Sequence, residues 1–461
     1  MEPGHTGAHG QPPRSVTSTG RSGDAGPGNN PQPVGGLMQA RIVGRVLSVF
    51  TLFVVITAIS TPSHALPAFA RQTGKACNTC HFQHYPSLNA YGREFKAGGY
   101  IDIGKEGQIK GRDLSLPETL NASIFFKARY QKSNGKDLTT GGSEDKTIAS
   151  GELQFPDEFA LLIGGRASEN VGFLLEANLI ATPTVAGFKV PFNFELGEMK
   201  VDVIPYTTDS LGASYGFELL NTGAVRNVRI MEHRSEISAQ QYIGTDGAAS
   251  GIAFVLWDPS FYINYSRWSP NHAATAQGNY GATPSSNYVR AVWTPSAWDW
   301  DFGIGAQYWS GSSQVGGAAV PNVTRYDTKA SAFDVQAQGA VGGFPLGVYV
   351  THAVAKASSA AQVNWFNTAT TGNEKATAIA AELGVLPGKL MLMLAYRDAT
   401  TAATTNNGDD ATTFGAAYHV AQNLQLQLQY SKRGKAGNVG RYAGSKTPGD
   451  TQTTLMLSGA F

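Results

Sequence analysis

Two thiols and an imidazole stand together in the run Cys77-Asn78-Thr79-Cys80-His81, and these are the chain's only two cysteines. Thiols two residues apart can each form a thioether with one vinyl group of a haem. The histidine that follows then offers a ring nitrogen to the iron. The other chemistries of Cys-x-x-Cys demand more than is present. A structural zinc site needs two further ligands, and there is no second cysteine pair to supply them. A thioredoxin-like couple needs a βαβ setting, which the flanking sequence does not show; a simple disulfide is the remaining alternative. We therefore assign Cys77, Cys80 and His81 to one covalently attached haem c, with His81 as its iron ligand.

The second axial ligand is not given by spacing, so several residues stand as candidates. His84 lies too close to His81 to reach the opposite haem face and reads as a propionate or surface group. Strand parity points His419 inward, on the face opposite Phe414, Ala416 and Tyr418, and likewise Met391 and Met393, opposite the leucines of Leu390–Leu394. His352 shares a face with Val348 and Val350 and reads as outward. His233 and His272 lie near connections that could fold inward. Arg71, Arg93 and Lys96 are the basic residues near the motif, available to propionates or simply solvated.

Whatever positions these groups must come from the rest of the chain. Only about fifty residues separate the motif region's start from the first clear strand near Thr119, too few to support a core without a staple or a partner surface. Tyr85, Leu88, Tyr91 and Phe95 read as the apolar stripe of a short helix, suited to a haem edge and a barrel wall. Beyond Thr119 the pattern changes to period two. Leu424, Leu426, Leu428 and Tyr430 alternate with Gln425, Gln427 and Gln429; Ile252, Phe254 and Leu256 share a face; Trp298, Trp300 and Phe302 alternate with Asp299 and Asp301.

A soluble β-sandwich would alternate in the same way. Three features favour a transmembrane barrel instead. Trp257, Trp268, Trp293, Trp298, Trp300 and Trp309 recur near strand ends, as an interfacial girdle would. Long Gly/Ala/Ser/Thr-rich connections alternate with short turns such as Leu386-Pro387-Gly388-Lys389, and the chain ends in a strand closed by Phe461. Roughly 340 residues at about twenty per strand and connection give about sixteen antiparallel strands. Composition agrees: 54 glycines and only 15% charged residues, with mean hydropathy −0.18, argue against a polytopic helical protein. Lys+Arg is 35 against Asp+Glu 34, which leaves no electrostatic footprint for nucleic acid.

The N-terminal part reads as targeting sequence. Arg41 and Arg45 precede an apolar stretch from about Val46 to Ile59, followed by the small residues Ser63 and Ala65, the pattern of a secretory signal. The expected organisation is thus a disordered stretch, or an extension ahead of a true start at Met38, over 1–37. A signal peptide over 38–65, a monohaem cytochrome segment over 66–116 and a porin-like outer-membrane barrel over 117–461 follow. No Walker loop, G-x-G-x-x-G or H-E-x-x-H is present, and Gly316-Gly317 and Gly342-Gly343 read as turns.

Around the haem motif the sequence resembles the fused monohaem cytochrome–porins of the outer membrane, whose best-known members oxidise iron(II). The resemblance rests on Phe69-Ala70-Arg71-Gln72-Thr73-Gly74 before the motif. It continues in Pro86, Leu88, Tyr91-Gly92-Arg93, Phe95-Lys96 and Gly99-Tyr100 after it, about thirty-five residues in all. Ala90-Tyr91 stands where the family has Pro-Phe, and His84 where it usually lacks histidine. The resemblance implies a haem segment plugging or lining the barrel. It also implies electrons taken from extracellular Fe(II) and passed to a periplasmic electron carrier such as a c-type cytochrome. Current flowing outward to an external acceptor, or a solute porin in which haem is a structural plug, are the alternative expectations.

Overall fold

The computed structural model describes residues 68–112, 114–133, 151–181, 184–223, 238–272, 283–315, 324–405, 407–434 and 451–461. The described residues all belong to one compact unit. The extension and the signal peptide expected over 1–65 lie outside the described residues, as do His233 and Gly316-Gly317.

Alternation in the sequence becomes a closed antiparallel barrel of sixteen strand positions. The first is Ala122–Ser133, the last Thr451–Ala460, and the two pair to close the cylinder. Phe461 extends that seam, exchanging backbone hydrogen bonds with Ile124 at 2.8 and 3.0 Å. One position is shared by two short strands, Val185–Lys189 and Phe192–Leu196, because Val190 and Pro191 interrupt the ladder between the same neighbours. Closure leaves no open edge, which is the condition for a sheet to stand in lipid.

The two faces of the wall differ as the parity argument requires. Leu392, Leu394, Phe414, Leu428 and Leu455 are exposed on the outside, whereas Gln425, Gln427 and Gln429 are buried on the inside. An apolar belt running across so many strands is far larger than a water-soluble surface carries, and it is explained by lipid. No helix among the described residues is long and apolar enough to cross a membrane; the strands do the crossing.

The rims differ as well. At one end the strands are joined by short turns, at Gly197-Glu198, Pro259-Ser260, Gly342-Gly343, Pro387-Gly388-Lys389 and Gln422-Asn423. Gly342 and Gly343 have φ of 59° and 84°, the paired left-handed residues of a tight hairpin. At the other end lie the long connections, including 134–151, 209–248, 356–373 and 434–450. In barrels of this kind short turns face the periplasm and long connections the exterior.

Several sequence expectations change. Trp257, Trp268 and Trp309 do not belong to a girdle: all three are buried inside, Trp257 donating to Asp202 at 2.8 Å and the other two packing on Phe366. Their strands place them on the lumen face, where folded-in chain covers them. Trp293 and Trp298 do face outward. The run Trp298–Phe302 is not continuous strand, because Trp298 and Asp299 take positive φ in a turn between Ala297 and Trp300. The stripe around Tyr85 is only partly helical. The helix is Ala90–Ala97, started by Asn89, whose side chain accepts from Gly92 N, so Tyr85 and Leu88 lie in the preceding loop.

Candidate functional site

The haem-motif region is built from three short helices, α1 (Ala68–Thr73), α2 (Cys77–Cys80) and α3 (Ala90–Ala97). A hairpin of Gln108–Gly111 and Leu114–Pro117 follows them. The two cysteines begin and end the single turn of α2; both are half-buried and unpaired. The following loop folds back on that turn. Phe82 N donates to Ser87 O at 2.9 Å, Asn89 N to Cys80 O at 3.0 Å, and Asn89 Nδ2 to Thr79 O at 3.0 Å. Helix α3 lies so close that a Cβ on Gly92 would fall 2.1 Å from Cys80 O, so this position must be glycine.

That fold-back orients His81. Its Nδ1 lies 3.1 Å from Ser87 O, the geometry of an Nδ1–H donating to a carbonyl. Among the described residues the opposite nitrogen, Nε2, makes no hydrogen bond and is therefore available to a metal, the arrangement found around metal-bound histidines generally. Burial of the ring, offset in part by the Ser87 bond, pushes its pKa down to about 4, so the imidazole is neutral at ordinary pH. Free thiols on one turn, a neutral oriented imidazole directly after them and a loop closed beneath them fit a covalently attached haem.

The barrel wall holds this region from all sides. Gln72 Nε2 donates to Tyr100 O and Asp102 O at 2.6 and 2.7 Å, while its Oε1 accepts from Asn121 Nδ2 at 3.1 Å. Tyr85 OH donates to Ser458 O at 2.8 Å, and Cys77 N to Gln422 Oε1 at 3.2 Å. Glycines at Gly165 and Gly172 let the segment approach the wall; a Cβ on Gly172 would fall 1.7 Å from Gly99 O. Phe69 stacks on Tyr100 at 5.0 Å and meets Phe95 edge-on at 5.3 Å, giving the segment a small aromatic core. These wall residues lie at or near the short-turn ends of their strands, so the region seats in that mouth of the barrel.

The basic residues and His84 have roles other than those expected. His84 is neither a surface group nor free for a propionate. It is buried, with Nε2 at 2.9 Å from Glu382 Oε2 and Nδ1 at 2.9 Å from Tyr85 O. Glu382 also accepts from Tyr349 OH. Arg93 Nη1 donates to Gln338 Oε1 at 3.0 Å, and Arg71 donates to Ala122 O. Both arginines therefore tie the segment to the wall instead of standing solvated. Lys96 also has a partner and is not a free cation.

Parity placed the inward candidates well. His419 is buried, and its Nε2 lies 2.9 Å from Gln83 O, so the structure brings it against the loop that follows the haem motif. Met391 and Met393 are buried among Tyr349, Ala380, Ala395 and Ala417 on the inner wall. His352 is exposed outside, beside Thr377, as read. His272 is engaged by Thr207 and Val185 O, both at 2.6 Å, near the opposite rim, away from the haem motif. Among the described residues no cluster of three or more His, Cys, Asp or Glu side chains forms a metal cage.

The second filling of the lumen was not visible in the sequence. The connection after Met199–Thr208 does not stay outside: Ala213–Gly223 and the helix α4 (Ala239–Tyr242) are folded into the barrel. Inward alanines at 376, 378 and 380 leave room for α4 against the wall. Arg290 holds the infold, with Nε 2.9 Å from Glu218 Oε2 and Nη2 2.9 Å from Asp334 Oδ2. Tyr262 OH donates to Glu218 at 2.6 Å, and Thr222 Oγ1 to Asp334 at 2.7 Å. The two fillings meet at Lys189, whose ammonium stands 5.7 Å from the Tyr100 ring and 4.7 Å from the Tyr215 ring.

No family model matches the chain, and no curated protein matches it in sequence. Solved structures with a distant likeness include OmpT of Vibrio cholerae, 13% identical with TM-score 0.42, covering 77% of this chain and 100% of that one. OmpF of Salmonella typhi in complex with daunomycin is 11% identical with TM-score 0.43, covering 77% and 100%. OccK1 (OpdK) of Pseudomonas aeruginosa is 11% identical with TM-score 0.39, covering 74% and 98%. The class rests on the chain's own closed sheet and apolar belt: it is a Gram-negative outer-membrane β-barrel. Within that class it is porin-like in build, with folded-in chain in both halves of its lumen.

Proposed function

We propose that this protein is an outer-membrane electron conduit that takes electrons from extracellular Fe(II) and delivers them to a periplasmic electron carrier. The observation that carries the reading is the seating of Cys77, Cys80 and His81 in the short-turn mouth, with His81 Nε2 turned free by the Ser87 carbonyl. Bound there, a haem c supplies one-electron redox chemistry. Cys77 and Cys80 would anchor it through thioethers, and His81 Nε2 would hold its iron. Among the described inward groups, a second ligand would come from His419, Met391 or Met393, and His233, outside the described residues, is the other candidate.

The chain's other residues serve the same end. Gln72, which accepts from Arg166 N, together with Tyr85 and Arg93 fixes the segment to the wall, so the attachment turn cannot drift from the periplasmic mouth. The Arg290-held infold occupies the lumen on the other side of Lys189, which disfavours a wide aqueous path for solutes. Current in the outward direction would need the same anchoring, so direction is an outcome of the test. Holoprotein in vesicles enclosing an oxidised redox dye should reduce that dye when Fe(II) is added outside. Dye left oxidised, with haem-loaded protein correctly inserted, would overturn inward transfer from Fe(II). Oxidation of a trapped reductant by an external acceptor would favour the outward direction.

A further inference from the structure

Pairing register puts two lysines on the outer wall just below the long-connection rim. Lys432 lies opposite Thr451, and Lys132 opposite Thr453, on the two strands that flank Thr451–Ala460. Both lysines are exposed and outward, since their neighbours Ser431, Arg433, Gln131 and Ser133 are buried inside. Among the described residues neither makes an ion pair or hydrogen bond. Two strand spacings across and two residues along the seam place their Cα atoms about 12 Å apart, within the combined reach of two extended lysine stems. The hydroxyl of Thr453 lies on the same outward face between them.

The level in the membrane is given by the next outward residues. Tyr430 and Tyr130 sit one outward position toward the middle of the wall, and both are exposed, with Leu428 and Leu455 beyond them. Exposed tyrosines above an apolar belt mark the boundary between hydrocarbon and headgroups. Two unpaired ammonium groups one position higher would face the headgroup layer of the outer leaflet. We infer that Lys132 and Lys432, with Thr453 between them, form a site for a phosphate of the outer leaflet's phosphorylated glycolipid. Its acyl chains would lie on the apolar belt below. The inference is independent of the haem and of electron transfer.

The test uses the full-length protein extracted from outer membranes in mild detergent, with bound lipid A measured by native mass spectrometry. Wild type should retain diphosphorylated lipid A, and the K132Q/K432Q variant should retain roughly thirtyfold less. K375Q removes another exposed outward lysine, three strands away from Lys432, and should leave retention unchanged. Equal retention by wild type and the double variant would overturn the site. A second arm needs no variant: wild type should discriminate against dephosphorylated lipid A by a similar factor. Equal binding of the dephosphorylated lipid, or displacement of lipid A by millimolar inorganic phosphate, would overturn a glycolipid phosphate as the ligand.

Discussion

The two halves of the lumen are filled by different physics. At the short-turn mouth the filling is the segment that carries Cys77, Cys80 and His81, held by many dispersed bonds: neutral ones from Gln72, Gln83, Tyr85 and Asn121, and charged ones from Arg71, Arg93 and the His84–Glu382 pair. In the other half it is an infolded connection held by one guanidinium between two carboxylates, Arg290 with Glu218 and Asp334. Many dispersed bonds hold a segment in one place and tolerate the loss of any single member. A buried charge cluster concentrates its dependence in one residue, because removing that residue strands the others without water. The mouth is therefore built to fix its segment in one place, and the infold to stay shut as long as one arginine is present.

The largest expected effect tests the chemical side of that contrast. The C77A/C80A variant should lose all covalent haem stain on denaturing gels, while the barrel still assembles and shows heat-modifiable migration. A full haem signal from that variant would remove the basis for treating the mouth as a cofactor site. Next comes Arg290→Ala, which leaves Glu218 and Asp334 buried and facing one another. The expected cost is about 3–5 kcal/mol, concentrated in the infold, with a rise in single-channel conductance and unchanged haem content. An unaltered conductance would mean that the ion cluster does not hold the infold.

A smaller effect is expected from Glu382→Ala at the other end. It leaves buried His84 and the Tyr349 hydroxyl without their shared acceptor, at about 1–3 kcal/mol for each stranded group. Because His84 lies on the loop that closes over the attachment turn, the haem absorbance of the holoprotein should shift, and urea unfolding should move to lower denaturant. Conductance should not change. Opening of the channel in this variant, matching Arg290→Ala, would erase the distinction between the two halves.

The wall was legible for physical reasons, and so was the Cys77–His81 run as a candidate site. Period-two alternation reports which face of a strand meets lipid, and this placed Met391, Met393, His419 and His352 on the sides where they are found. Cys77, Cys80 and His81 stood out because their chemistry depends on spacing along the chain, which a sequence shows directly. Interior contents were not legible. Trp268 and Trp309 look like girdle residues until the infold that covers them is known, and Leu219, Leu220 and Ile243 lie in a connection with no regular period. His84 illustrates the same limit, since its partner Glu382 is 298 residues away and nothing in the local sequence announces the pair.

The central claim is that electrons cross this barrel and solutes do not, and one vesicle preparation can read both. Holoprotein and the C77A/C80A variant are each reconstituted around a trapped redox dye and a small fluorescent solute, and Fe(II) is added outside. The account predicts dye reduction only with the holoprotein and retention of the solute with both. Rapid loss of the solute through the holoprotein, or dye reduction at the same rate through the variant, would contradict it.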